Sequence, residues 1–478
     1  MAEPRVLRRD LWRCGEECVW DHGTMRTPDP GKARSSMSTE ALFTPPSGPI
    51  QGWHDGQVTR ATGIPYATGA RFAEPTPVPD RDGTLTATNW SPACPQRPVP
   101  FLDSVLGSSI ERLAVDEHCQ NLSVTVPRSA VPGDGLPVMV WFHGGSYVSG
   151  AGDMPIMDPA SLVAEQRVIV VTVTYRLGIF GYLGGADGRP ANLGLLDQIT
   201  ALRWVQRNIA AFGGDPQQVT AFGQSAGGDA VAHLMAAPDA AELFRRAIIQ
   251  SAPFGLSRGR AAMSEAMSEA ARAITPETPV QQVLGLEPEV EAAASGFGLR
   301  SGMPFGTQYG KAPLPAEQEL EDTWNRVAPK IDVLIGHTAQ EAALFVLRVP
   351  ALRPFIRIPV IGRILSSGLI AALTRIIYGR GSRRFARRHA RAGGSAHHYV
   401  VTWAAPGNSW RSAHTIDLPL LFGDEDAWRA ANLVEGARWE DIDAVAKRVR
   451  AVWGRFARGQ DLGERGTIPD AMSYRRTR

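Results

Sequence analysis

The sequence predicts an α/β protein with a mostly parallel central sheet and helices on both of its faces. Three observations carry this expectation. Short β-branched runs alternate with segments of helical spacing through the middle of the chain. One run, Val168 to Tyr175, is β-branched nearly throughout, as expected of a strand covered on both faces. A glycine-rich pentapeptide, Gly223-Gln224-Ser225-Ala226-Gly227, sits where a predicted strand hands over to a predicted helix.

Taken in order, the apolar run Leu136–Phe142 ends in His143-Gly144-Gly145, a strand entering a glycine-rich loop. Asn192–Asn208 carries Leu196, Ile199, Leu202 and Val205 at helical spacing and stops at the turn Phe212-Gly213-Gly214-Asp215-Pro216. Gln218–Phe222 reads as a strand, followed by the pentapeptide and an alanine-rich helix to His233. Arg246–Gln250 and Ile331–Ile335 are two further strands, and no internal repeat is visible. Residues 1–39 are polar and aperiodic, which marks a disordered extension or a stretch upstream of a start at Met25 or Met37. A metal knuckle there would need more ligands than Cys14 and Cys18 supply. Residues 40–478 are read as a single domain, with lid insertions around 254–325 and 345–395.

Composition narrows the function classes. With 478 residues, 44% of them hydrophobic, the chain can bury a sizeable core. A net charge of +2 argues against nucleic acid as a partner, since phosphate binding draws on a strong basic excess. The most apolar stretch, Val349–Tyr378, is broken by Arg353, Arg357, Arg363 and Arg375, so no membrane span is expected. Arg5, Arg8 and Arg9 are not followed by the apolar segment of a secretory signal, and a cytoplasmic location is the default. Four cysteines are too few for a disulfide scaffold in so long a chain. No cofactor or metal is called for, because the His397-His398 doublet lacks companion ligands.

Ser225 is the candidate nucleophile. A glycine on each side of its neighbours keeps bulk away from a tight strand-to-helix turn, which lifts the hydroxyl above the sheet edge. The helix that follows points its N-terminal amides and positive dipole end at the same spot. In such an elbow the residue after the nucleophile, here Ala226, donates one N–H to a developing oxyanion. Further donors come from an upstream His-Gly-Gly junction, here His143-Gly144-Gly145-Ser146, which nominates the Gly145 and Ser146 amides.

Several stretches then occur in order: Gly63–Ala67, Arg71-Phe72, Asn192–Gln198, Phe212–Pro216 and Gly223–Gly228. Together they resemble the type-B carboxylesterase family, from about Gly48 to about Gly459 and most densely between Leu136 and Ser251. The resemblance implies the α/β-hydrolase fold with an inserted helical lid, and ester hydrolysis by a Ser-His-Glu triad. By the family pattern Glu341, in the stretch after Ile335-Gly336, takes the acid position, with Ala342 where a glycine is usual. Asp332 competes on charge but lies at the start of its strand. His414 matches the family histidine, with Ser412 replacing the usual glycine, whereas His389, His397 and His398 lack that setting. Ser251 matches a serine that supports the acid, and a strand-end hydrogen bond is the alternative role. Cys94 and Cys119 match a pair commonly disulfide-bonded, which a cytoplasmic setting would keep reduced. Arg71 and Glu117 match a structural ion pair.

The expected substrate is a small, neutral ester. Holding a quaternary ammonium takes aromatic faces, yet no tryptophan lies between Cys94 and Cys119, and Gln224 replaces an acid found in cholinesterases. From Ala342 to Ile416 there is no Asp or Glu, while Arg353, Arg357, Arg363, Arg375, Arg383, Arg384, Arg387, Arg388 and Arg391 interleave with isoleucine and leucine. This reads as a solvated helix pair over the pocket, or as a basic amphipathic lid that touches anionic lipid or admits acidic esters. Two other functions share the pattern: a catalytically silent cholinesterase-like binding protein, and an amidase or lactonase with the same triad.

Overall fold

Six consecutive parallel strands form the middle of a 13-stranded sheet. In spatial order they are Ile169–Val173, Leu136–Phe142, Gly214–Gln224, Arg246–Gln250, Asp332–Thr338 and Ala396–Val401. Antiparallel strands flank them: Asn121–Pro127, Val58–Pro65, Ile50–Asp55 and Glu40–Phe43 on one side, Met472–Arg476 and Arg465–Ile468 on the other. The structure, a computed structural model, describes residues 40–478 apart from 109, 186–187 and 347–360. The N-terminal stretch 1–39, with Cys14 and Cys18, lies outside the described residues, as do Arg353 and Arg357 of the basic segment.

Burial on both faces explains the uniform apolarity of the central strands. Leu136–Phe142 and Ile169–Val173 are buried at every residue. Along the first, Val138, Val140 and Phe142 enter one core while Met139 and Trp141 enter the other, following the strand period of two. Helices Leu193–Asn208 and Ala226–Leu234 cover the first core; Ala160–Gln166 and Trp439–Ala457 cover the second. Parallel neighbours need long crossovers, and helix Arg380–Arg391 serves as one, packed on strands Asp332–Thr338 and Ala396–Val401 that it joins. Among the described residues no helix is long and apolar enough to cross a membrane.

Two elements differ from the sequence reading. The strand leading to Ser225 starts at Gly214, so Asp215-Pro216, read as a turn, lies within it; a register irregularity between Gly214 and Val219 accommodates the proline. Ala396–Val401 is a buried strand that the sequence reading did not anticipate, because two histidines interrupt its apolar pattern.

Helix Leu193–Asn208 is buried on most of its surface, including Asp197. Its carboxylate accepts from Arg176 Nε at 2.8 Å, Nη2 at 2.7 Å and the Arg176 N–H at 3.1 Å. Burial disfavours the guanidinium's charge, but the Asp197 carboxylate outweighs it and raises the Arg176 pKa. The pair ties the loop after strand Ile169–Val173 to the helix that backs the site. Removing one charge leaves the other buried and unpaired, so Asp197→Asn is expected to cost about 3–5 kcal/mol in urea unfolding; a loss below about 1 kcal/mol would contradict this role.

Candidate active site

The strand Gly214–Gln224 ends at Ser225, and helix Ala226–Leu234 begins on the next residue. Ser225 sits at φ 57° and ψ −123°, a conformation L-residues resist. The turn is held because the Ser225 N–H donates to Gln250 O at 2.8 Å and its carbonyl accepts from the Asp229 N–H at 2.9 Å. Glycines make room for this close approach. A Cβ on Gly223 would lie 2.6 Å from Gly227 backbone, and one on Gly227 would lie 2.0 Å from Phe142 O.

Ser225, His414 and Glu341, far apart in the chain, come together. Ser225 Oγ is 2.8 Å from His414 Nε2, and His414 Nδ1 hydrogen-bonds Glu341 Oε2. An ionised carboxylate only accepts, so Nδ1 carries the ring proton and Nε2 accepts from the Ser225 hydroxyl. Glu341 Oε1 accepts from Ser251 Oγ and from the Thr338 N–H, both at 2.6 Å. Glu341 is fully buried, and Ser225 is nearly so. Asp332 lies at the opposite end of the strand that leads to Glu341.

The loop after strand Leu136–Phe142 lies against Ser225: a Cβ on Gly144 would stand 3.0 Å from Ser225 Cβ. Gly145, Ser146 and Tyr147 all take positive φ, at 114°, 55° and 63°. The Gly145 and Ser146 N–H groups make no hydrogen bond among the described residues. Ala226 is the first residue of its helix, so its N–H has no intrahelical acceptor. His143 is buried beneath this loop, where burial pushes its pKa down to about 4 and keeps the ring neutral.

The other histidines have structural partners. His389 Nε2 bonds Ile331 O at 2.7 Å, His397 Nε2 bonds Gly463 O at 2.9 Å, and His398 Nε2 faces Ser382 Oγ at 3.2 Å. Among the described residues no group of three or more His, Cys, Asp or Glu side chains is arranged to hold a metal ion. Cys94 and Cys119 are buried free thiols. Arg71 Nε donates to Glu117 Oε2 at 2.6 Å, a forked pair completed by Nη2. Ser412, in the usual glycine's place, donates to Trp403 O at 2.6 Å.

Several neighbours of the triad were not nominated from sequence. Tyr378 and Phe345 place their rings 5.2 and 5.7 Å from the His414 ring, between centroids. Gln224, singled out in the sequence for its neutral side chain, places Nε2 3.4 Å from His414 Nε2. Asp229 accepts from Tyr147 Oη at 2.8 Å and Ser257 Oγ at 2.5 Å, beneath the helix start. Asp417 accepts from Gln250 Nε2 at 2.7 Å, yet its Oδ1 is buried without a partner among the described residues. Burial raises its pKa to about 6, the Gln250 hydrogen bond opposing and the Glu341 carboxylate adding to the rise. A raised acid binds its proton more tightly folded than unfolded, so ionising Asp417 costs stability as pH climbs from about 4 to about 6. Asp417→Asn keeps an acceptor for Gln250 and removes the charge. The variant should match the parent's unfolding free energy near pH 4 and exceed it by about 2–3 kcal/mol above pH 7; a gap independent of pH would contradict the assignment.

The chain is also similar to known hydrolases in sequence and fold. A model of the carboxylesterase family matches residues 39–353. A probable N-octanoylanthranilate hydrolase of Rhodococcus erythropolis is 37% identical over 424 residues, covering 86% of this chain and 92% of that protein. A para-nitrobenzyl esterase of Bacillus subtilis is 43% identical over 220 residues, 45% of this chain and 44% of that protein. The solved structure of a thermophilic PNB esterase superposes with a TM-score of 0.74 at 29% identity, covering 91% of this chain and 94% of that one. With that fold and that breadth of similarity, the chain belongs to the carboxylesterase family and is an ester hydrolase.

Proposed function

We propose that Ser225 is the nucleophile of a Ser-His-Glu triad, with His414 as general base and Glu341 as its acid partner, acting on a small neutral ester through an acyl-enzyme. The observation that carries this reading is the unbroken hydrogen-bond chain from Ser225 through His414 to Glu341. His414 Nε2 takes the hydroxyl proton as Ser225 Oγ attacks the carbonyl carbon. The imidazolium so formed faces Glu341. Burial would raise that carboxyl's pKa, but the His414 charge and hydrogen bonds from His414 and Ser251 outweigh it and hold it below the usual range. Glu341 therefore stays ionised at neutral pH and balances the cation.

The N–H groups of Gly145, Ser146 and Ala226 are the oxyanion donors in this proposal, each worth about 3 kcal/mol at the transition state. Collapse of the tetrahedral intermediate expels the alcohol, which takes its proton from His414, and water repeats the sequence on the acyl-enzyme. Ser251 orients Glu341 and does not touch substrate. Gln224 beside the nucleophile supports a neutral substrate over a cationic one, because no carboxylate stands there to attract an ammonium.

A second substrate class, medium-chain N-acyl aryl amides, is favoured by the likeness to the N-octanoylanthranilate hydrolase. The same triad would serve both. Turnover of N-octanoylanthranilate with kcat/KM above that of p-nitrophenyl octanoate would establish the amide reading; no detectable turnover would remove it.

For the triad, Ser225→Ala should lower kcat on short-chain p-nitrophenyl esters about a million-fold. Glu341→Gln should lower it about ten-thousand-fold, since the imidazole loses both its orientation and its counter-charge. Both are read by steady-state kinetics across an acyl-chain series. Parent-level turnover by the Ser225 variant would overturn the proposal.

A further inference from the structure

Helix Arg380–Arg391 buries Ser382, Phe385, Ala386 and His389, leaves Arg380, Arg384, Arg387 and Arg391 exposed, and half-buries Arg388. Across from it stands helix Leu320–Val327, and between them lies a cleft of about 1230 Å³. Eight arginines line this cleft, Arg380, Arg384, Arg387, Arg388 and Arg391 among them. Among the described residues Glu321 is the one carboxylate in the lining. It is already shared, by Arg384 Nη2 at 3.0 Å and by Arg258 Nη1 at 3.1 Å.

This arrangement is electrostatically unfavourable as it stands. Arg380 and Arg384, Arg384 and Arg388, and Arg387 and Arg391 are like charges one helical turn apart, a spacing that opposes helix formation. The Arg388 guanidinium lies over the Trp324 and Phe385 rings, its Cζ 4.4 Å from each centroid, with Nε and Nη2 buried and without hydrogen-bond partners among the described residues. Burial lowers its pKa to about 10; Glu321 opposes the fall, while Arg258 and Arg384 add to it. Guanidinium forks match phosphate oxygens two at a time. A single carboxylate would occupy one fork; several forks around one cavity match a multiply charged anion.

The cleft is separate from the ester site, since Ser225, Glu341 and His414 are absent from its lining. The π-helical turn Arg375–Gly379 borders both sites. Arg375 lines the cleft, while Tyr378, three residues on, faces His414.

We propose that the cleft between helices Leu320–Val327 and Arg380–Arg391 binds a ligand carrying clustered phosphate groups. The same chemistry is offered by a soluble di- or triphosphate and by a phosphorylated lipid headgroup, and two arms of one experiment separate them. The first titrates the full-length enzyme calorimetrically with sodium tripolyphosphate in about 0.15 M salt, where loose surface attraction is screened. The second sediments it with phosphatidylcholine vesicles, with and without a phosphatidylinositol phosphate. Each arm is repeated with R387Q/R391Q, whose altered side chains make no hydrogen bond or ion pair among the described residues, and with R429Q/R438Q outside the cleft. Circular dichroism melting verifies that each variant folds.

Saturable single-site binding is expected in one arm, weakened about tenfold or more by R387Q/R391Q and unchanged by R429Q/R438Q. Binding of tripolyphosphate identifies a soluble ligand; binding to the phosphoinositide vesicles alone identifies a headgroup. No binding in either arm, or binding that R387Q/R391Q leaves unaltered, would overturn the proposal.

Discussion

The backbone of Ser225 is held where an L-residue does not rest, at φ 57° and ψ −123°, and the site is arranged around that constraint. A conformation of this kind costs about 1–3 kcal/mol and persists only when the surroundings over-determine it. Here they do so from both sides. The Ser225 N–H continues the ladder onto strand Arg246–Gln250, and the first turn of the following helix captures its carbonyl. Gly223 and Gly227 allow the helix to start against the backbone of strand Leu136–Phe142, at distances no Cβ would tolerate. Because three neighbouring parallel strands end at the same edge, the Gly144 loop, Ser225 and Ser251 arrive together there.

Charge inside this fold is governed by which partner each buried group meets. Glu341 meets His414, Ser251 and the Thr338 amide, and its charge survives complete burial. Asp417, also fully buried, meets one Gln250 amide, and its pKa rises to about 6. His143 meets little more than a carbonyl and stays neutral. Desolvation acts on all three in the same way. What separates them is the number and sign of the groups that replace water.

Much of this was legible in the chain. Five of the six parallel strands follow from apolar runs whose two-faced burial leaves no polar alternation, and Gly223–Gly227 is informative because it joins one such run to a helix. Glu341 and His414 were found through the family pattern instead, since neither has local features that distinguish it from other loop carboxylates and histidines. Strand Ala396–Val401 escaped notice because His397 and His398 are buried by pairing with Gly463 O and Ser382, contacts made across long sequence distances. The spacing that predicted helix Leu193–Asn208 placed Leu196 in the core, yet Leu195 and Asp197 are the fully buried neighbours. Arg176 makes that possible by neutralising Asp197, a partnership no periodicity reveals. Tyr378 and Phe345 were missed for a related reason: their relation to His414 exists only in three dimensions.

The central claim is that Ser225 is an activated nucleophile, and covalent trapping tests it most directly. A fluorophosphonate probe reacts with a serine whose proton a neighbouring base removes, and peptide mass spectrometry then locates the adduct. The account predicts a single modification on the peptide containing Ser225, formed far more slowly in Glu341→Gln. An adduct on a different serine, or labelling at an undiminished rate when Glu341 is replaced, would contradict it.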